Sequence, residues 1–371
     1  MTGIPNSLYC VALHLALRTR QRPHAHFVLG LVLGLGLGNH LSLALALPGL
    51  IVLAAGRRSP RDLWRCGPSL AAGALLGLAV YAYLPLAARH DPPVNWGDPR
   101  DWEGFLWVVS GRVYRPYVFG VALADVPARL GAWVNLLVAQ FTWPGVALAL
   151  MGLMAWLADG RRSWAVGTLW LVLAYSAWAV GYDTTDSYVY LIPAHATVAL
   201  WLARGVMDAV RAVERALAGR VRWAPIVVLA ALALLPAVAI VRRAPELSRR
   251  DDRAATAWLD DVTASLPPSA LVIAREDRHT FALAYAQWVE GRRPDVVVVD
   301  GDLLQYPWYV AQLARRAPEL VIPPKEPTVR ALIAANLDRR PIVLTASPPD
   351  DDAAHLALSQ DGPLWRVTAV R

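Results

Sequence analysis

The chain has 371 residues, 56% of them hydrophobic and only 18% charged, with 36 Lys plus Arg against 29 Asp plus Glu for a net charge of +7. Ordinary soluble domains carry ~25% charged residues, so the composition excludes a disordered chain, and two cysteines, Cys10 and Cys66, exclude a disulfide framework or a cysteine-built zinc cluster. The surplus charge does not point to nucleic acid, because residues 1–242 hold 20 basic and 11 acidic side chains whereas 243–371 hold 16 and 18. Positive charge confined to the apolar part points to a membrane.

Apolar runs follow one another at about 5–17, 27–55, 69–88, 132–157, 164–181, 188–203 and 223–241. Several approach the ~20 residues that cross a bilayer as a helix. Three arginines follow the first run and none precedes it, the reverse of a signal peptide. The 27–55 run carries Asn39 and His40 in its middle, so two short helices with a turn there are expected. Gly30, Gly34 and Gly38 repeat the G-x-x-x-G spacing on which helices approach closely in a membrane. Counted this way the chain has about eight membrane segments, some short or re-entrant.

Loops 18–26, 56–68, 158–163 and 204–222 together hold 14 arginines and four acids, loop 89–131 holds five of each, and loop 182–187 has two acids and no base. With eight segments the arginine-rich loops share one face, cytoplasmic by the positive-inside tendency. Loops 89–131 and 182–187, the Asn39–His40 turn and everything after 242 then lie outside. The domains expected are thus 1–242, a membrane domain with external loop 89–131, and 243–371, an extracytoplasmic α/β domain. In the latter, Ala270–Ala274, Asp295–Asp300 and Pro341–Ala346 read as buried parallel strands alternating with helices at 252–265, 280–290, 303–316 and 328–338.

Polar residues near the apolar runs are the candidates for chemistry. Asn95-Trp96-Gly97-Asp98-Pro99, with Arg112 further on, could offer stacking aromatics and polar groups to a sugar or a lipid-linked phosphate, although turn and headgroup-belt roles fit the same residues. Asp183, Asp186 and Tyr190 surround a short turn, with His195 a little way into the next helix, and the two carboxylates could bind a divalent cation, act as acid and base, or cap that helix. Asn39 and His40 could hydrogen-bond a substrate, although a satisfied structural pair fits the same residues. Asp300-Gly301-Asp302 fits turn chemistry better than a metal-holding D-x-D. No H-E-x-x-H, G-x-S-x-G or Walker A sequence occurs.

On Gly30–His40, Tyr83–Tyr114 around Asn95-Trp96-Gly97-Asp98-Pro99, and Tyr182–Pro193, the sequence resembles a family of bacterial multi-pass membrane proteins of unassigned function related to transmembrane protein 260, a protein O-mannosyltransferase. Leu266–Ala270, Asp277, Tyr285 and Arg293–Val296 are similar as well. The resemblance implies a GT-C-like glycosyltransferase of the cell (inner or plasma) membrane. Such an enzyme moves a mannose-like hexose from a polyprenyl-phosphate carrier to a hydroxyl on a protein or glycan acceptor at the non-cytoplasmic face.

It also implies that the catalytic base stands in a first external loop, for which this chain has no counterpart. The chain therefore reads either as N-terminally truncated or as having lost that loop, with transfer expected where the missing part is supplied, and no catalytic residue is assigned. Asn39, His40, Asn95, Trp96, Asp98, Arg112, Asp183 and Asp186 are expected to line the substrate site. The competing reading is a non-catalytic membrane binding or assembly protein, or a transporter built on the broken helix at Asn39–His40.

Overall fold

The computed structural model describes residues 3–18, 23–56, 60–217, 223–324, 327–347 and 354–371. Contacts divide the chain into two compact units, Met1–Ala87 with Leu106–Arg243, and Ala88–Phe105 with Ala244–Arg371. The first half of the 89–131 loop, read from sequence as part of the membrane domain, therefore packs with the sheet-bearing unit.

The first unit is helical: α1 (Gly3–Arg18), α2 (Pro23–Asn39), α3 (Leu47–Ala55), α4 (Pro60–Leu78), α5 (Tyr83–Ala88, whose end enters the other unit), α6 (Trp102–Val109, which begins there), α7 (Val126–Ala158), α8 (Arg162–Gly181), α9 (Ile192–Ala216) and α10 (Ala224–Leu247, to Arg243). Among the described residues, four stretches are long and apolar enough to cross a membrane: Trp64–Ala88, Val126–Ala158, Arg162–Gly181 and Ser187–Ala216. The chain is an integral membrane protein on this ground, with four of the expected segments long enough to span and two more present as shorter apolar helices among the described residues. The 27–55 run is two shorter apolar helices, His24–Asn39 and Leu41–Ala55, because α2 ends at Asn39 and His40 is extended, capping a 3-10 turn with its ring.

Helices in lipid gain little from hydrophobic burial, so they are held by close backbone approach. A Cβ on Gly30 would overlap the Leu70 carbonyl, and one on Gly34 the Ala74 carbonyl; Gly73 and Gly77 of α4 meet Phe27 and Leu31 of α2 in the same way. The glycine repeat of α2 thus finds its partner in α4. Around it, Tyr9, Leu29, Leu50, Leu171 and Tyr175 form a buried cluster, and the Tyr9 hydroxyl lies 2.5 Å from Thr197 Oγ1. Helix α7 kinks at Thr142 (φ 61°, ψ 161°), just before Pro144.

The second unit is a three-layer α/β sandwich. Its strands β1 (Leu271–Ala274), β2 (Val297–Asp300), β3 (Ile342–Leu344), β4 (Leu356–Asp361) and β5 (Leu364–Val370) stand in the order β2-β1-β3-β5-β4. β1 pairs in parallel with β2 (Leu271 opposite Val297) and β3 (Leu271 opposite Ile342). These are the three strands expected from sequence. The antiparallel hairpin β4–β5 was not expected, although Asp361-Gly362-Pro363-Leu364 turns it with Gly362 at φ 58°. Alternation sends Leu271, Ile273, Ile342 and Leu344 to one face, against α13 (Pro307–Arg316) and α14 (Val329–Asn336). Val272, Ala274 and Val343 face α11 (Ala254–Ser265) and α12 (Asp277–Trp288).

Candidate functional site

Within the membrane unit, three separate segments meet at one end of the helices. His40 is held by Ser42, whose hydroxyl is 2.8 Å from His40 Nδ1, and its ring sits edge-on to Tyr190 at 5.7 Å. Tyr190 packs edge-on against Tyr182 with ring centroids 5.2 Å apart. Tyr182 stacks on Trp178 at 5.6 Å and leans on Tyr117 at 6.1 Å. The Asp183 amide donates to the Tyr117 carbonyl at 2.9 Å, which ties loop 182–187 to the 3-10 turn Arg112–Tyr117. Among the described residues, buried Trp178 Nε1 and Thr184 Oγ1 have no hydrogen-bond partner. A buried donor without a partner is costly, so a cluster containing two such polar atoms is suited to receiving polar groups of a ligand.

Arg129, on the first turn of α7, organises this loop. Its guanidinium donates to the Tyr182 carbonyl at 3.1 Å, the Thr184 carbonyl at 3.4 Å and Ser187 Oγ at 2.8 Å, and lies 3.5 Å from Asp183 Oδ1. Sequence reasoning missed Arg129 because it lies in a charge-balanced loop 54 positions from Asp183. Asp186 is at the N-cap position of the 3-10 turn Ser187–Leu191 but makes no side-chain cap bond, so the capping role weighed for it is not met. Its carboxylate is exposed, within electrostatic reach of Tyr182 and Tyr190. Asn39 and Arg112 are also exposed.

The other three expected site residues belong to the sheet-bearing unit. Gly97 (φ 73°) and Asp98 (φ 43°) make a tight left-handed turn. Asn95 Nδ2 donates to Asp98 Oδ1 at 2.6 Å, Arg100 Nε lies 2.8 Å from the same carboxylate, and Arg315 Nη2 of α13 lies 3.4 Å from its other oxygen. The Asn95 carbonyl accepts from buried Gln312 Nε2 at 2.5 Å. Asp98 thus serves the turn. Asn95 and Trp96, but not Asp98, line a cavity of about 320 Å³ between β2, α12 and α13. The side chains opposite them, Trp288, Trp308 and Gln312, gave no sequence signal beyond helical periodicity.

Asp300 confirms the turn reading of Asp300-Gly301-Asp302. Its Oδ1 accepts from the amides of Asp302 (2.9 Å) and Leu303 (3.1 Å), and its Oδ2 accepts from Thr280 Oγ1 (3.0 Å). Burial pushes its carboxyl above the usual range despite these donors. Arg293 and the Ser269 amide hold the Asp295 carboxyl far below that range. Among the described residues, no three His, Cys, Asp or Glu side chains gather as a metal-holding set.

Fold and site together define an integral membrane protein that carries a three-layer α/β unit. The comparisons give it relatives: the TMEM260-associated domain 2 family matches residues 255–324, the stretch from α11 through α13. The protein O-mannosyl-transferase TMEM260 of Mus musculus is 24% identical over 274 residues, covering 67% of this chain and 37% of that protein. The chain is related to TMEM260, and spans little more than a third of that relative's length. No solved structure matches it.

Proposed function

We propose that the chain belongs to a membrane hexosyltransferase machinery of the protein O-mannosyltransferase kind. It would move a mannose-like hexose from a polyprenyl-phosphate carrier to a hydroxyl of a protein or glycan acceptor at the non-cytoplasmic face. The observation that carries this reading is the convergence of the Asn39–His40 break, the 112–117 turn and loop 182–187 on one aromatic cluster. Relatedness to TMEM260 supplies the reaction class.

In this reading Tyr182, Tyr190 and Trp178 offer ring faces to the sugar. The acceptor oxygen attacks the anomeric carbon as the bond to the carrier phosphate breaks; the acceptor proton passes to a carboxylate and the phosphate leaves with the lipid. Asp183 and Asp186 line the acceptor side, the base itself being expected in the first external loop of such enzymes, and exposed Arg112 offers a cation to the departing phosphate. Arg129 is a positioning residue, since its donors are spent on the loop. The arginine-rich loops are then cytoplasmic and the sheet-bearing unit lies outside.

The test is transfer of labelled hexose from a polyprenyl-phosphate hexose to a Ser/Thr-rich peptide by the protein in phospholipid nanodiscs. Asp186→Asn is expected to lower transfer at least tenfold with protein level unchanged. Undiminished transfer in both Asp183→Asn and Asp186→Asn removes the loop from the site. Donor binding without transfer in every acceptor tried favours the non-catalytic binding protein.

A further inference from the structure

The cavity of the sheet-bearing unit plays no part in the transfer reading. It opens beside β2, the edge strand of the sheet, and beside an unusual helix. Helix α12 buries His279, Leu283 and Ala286 against the sheet, while Phe281, Tyr285 and Trp288, also at helical spacing, stand 46%, 50% and 56% exposed. Phe281 and Trp288 reach the cavity, and Trp96 and Trp308 line it with ring centroids 5.7 Å apart. Large rings left in water at the mouth of a cavity are costly unless they meet a ligand.

The polar lining narrows the ligand class. All four charged side chains of the cavity already have partners in this unit: Asp295 with Arg293 at 2.9 Å, Asp300 with its two amides and Thr280, Arg316 with the Pro92 carbonyl, and Glu319 with Arg340 at 3.7 Å. An anion such as a phosphate is disfavoured because three carboxylates, Asp295, Asp300 and Glu319, share the lining with the single cation Arg316. Strand addition by a peptide is also opposed, because two side chains close the outer edge of β2. Gln287 Nε2 donates to the Val296 carbonyl at 2.9 Å, and the Asp300 amide donates to the Tyr309 hydroxyl at 2.7 Å. What remains are ring faces and the uncharged amides of buried Asn95 and Gln312, whose NH2 groups donate to Asp98 and to the Asn95 carbonyl and whose side-chain oxygens are the acceptors they present.

We propose that this cavity binds a neutral sugar ring, stacked on Trp288 and Phe281 at the rim with its hydroxyls turned to the Gln312 and Asn95 amides. A pyranose combines an apolar C–H face with a polar edge, which matches such a lining. The volume, about 320 Å³, is at the low end of ligand pockets and suits a ring or two. The site is a recognition site, separate from the aromatic cluster of the membrane unit, and does not depend on transfer chemistry.

Saturation-transfer NMR on the whole protein in phospholipid nanodiscs tests this, with methyl mannoside, methyl glucoside, methyl galactoside and methyl N-acetylglucosaminide as probes and hexanol as the apolar control. The expected result is transfer to the ring protons of at least one glycoside at millimolar concentration, reduced several-fold in both Trp288→Ala and Phe281→Ala and retained in Asp186→Asn. Both rings are exposed, so neither change empties a core. Absence of transfer to every glycoside at tens of millimolar overturns the proposal. So does a signal that survives in both ring variants, one lost in Asp186→Asn, or transfer to hexanol alone.

Discussion

Asp295 and Asp300 lie at opposite ends of one strand region, and their surroundings drive their acidities apart. Arg293 clamps Asp295 with Nε and Nη2 at 2.9 Å while Nη1 and Nη2 serve the carbonyls of Thr263, Leu266 and Pro267. Because the Asp295 carboxyl is depressed on folding, it stabilises the folded state above the unfolded value of about 3.9 and loses that contribution as pH falls toward the folded one. Asp300, raised by burial, works in the opposite sense: its contribution is complete below about pH 3.9 and declines as pH rises through its folded value. Asp295→Asn is therefore expected to lower the melting temperature of the sheet-bearing unit at pH 7 and to narrow its gap from the parent below pH 4, as followed by circular dichroism. An equal deficit at both pH values counts against the ion pair. Arg129 makes the corresponding prediction in the membrane unit. Hydrogen bonds from a charged donor net about 1.5–3 kcal/mol each, so Arg129→Ala is expected to lower thermal stability in nanodiscs and cut hexose transfer, with Arg129→Lys recovering only part of both because a lysine lacks the fork. Unchanged stability in Arg129→Ala would sink the positioning role.

At the scale of elements, glycines decide which membrane helices touch. The α2–α4 crossing has no room for a side chain at Gly34, where the neighbour is backbone and cannot swing aside. Gly34→Leu is expected to cost at least ~1–3 kcal/mol, the usual range for over-packing, and to separate the pair. A cysteine pair placed across the crossing, one on each helix, should then lose its oxidative cross-link. A cross-link formed as efficiently in Gly34→Leu means that another contact holds these helices. The aromatic stripe on α12 shows the opposite case, a helix apolar on two faces with only one of them buried in the sheet packing.

At the scale of the molecule, the two units are interleaved along the chain. Residues 88–105 are separated from 244–371 by the longer part of the membrane unit, yet Asn95 is held by Gln312 and Asp98 by Arg315 within one compact body. A fragment 244–371 is therefore expected to melt at a lower temperature than the same fragment joined through a flexible linker to Ala88–Phe105, measured on the two purified fragments. Equal melting temperatures would show that the Asn95–Asp98 turn adds nothing to the α/β fold.

Residue by residue, the sequence made legible whatever depends on local periodicity. Continuous apolar runs gave the long helices, the polar pair Asn39–His40 gave the break between α2 and α3, and the Val-rich run before Asp300 gave β2. The hairpin β4–β5 escaped because its strands are half exposed and mixed in polarity, a pattern weaker than a buried run. The site was legible only in part. Asp183, Asp186, Tyr190 and His40 stand out as polar residues beside apolar helices, whereas Arg129, Tyr117 and Trp178 do not.

What the sequence determined alone is that this protein lives in a membrane, that its charge is sorted along the chain, and that a parallel-strand α/β unit follows, since each rests on composition or on spacing within a few turns. Tertiary structure alone decided that Asn95 and Trp96 belong to the sheet-bearing unit, that Gly30 and Gly34 face α4, and that His40, Tyr182 and Tyr190 meet. Those are contacts between residues tens to hundreds of positions apart, fixed by backbone approach and side-chain packing that no local pattern encodes.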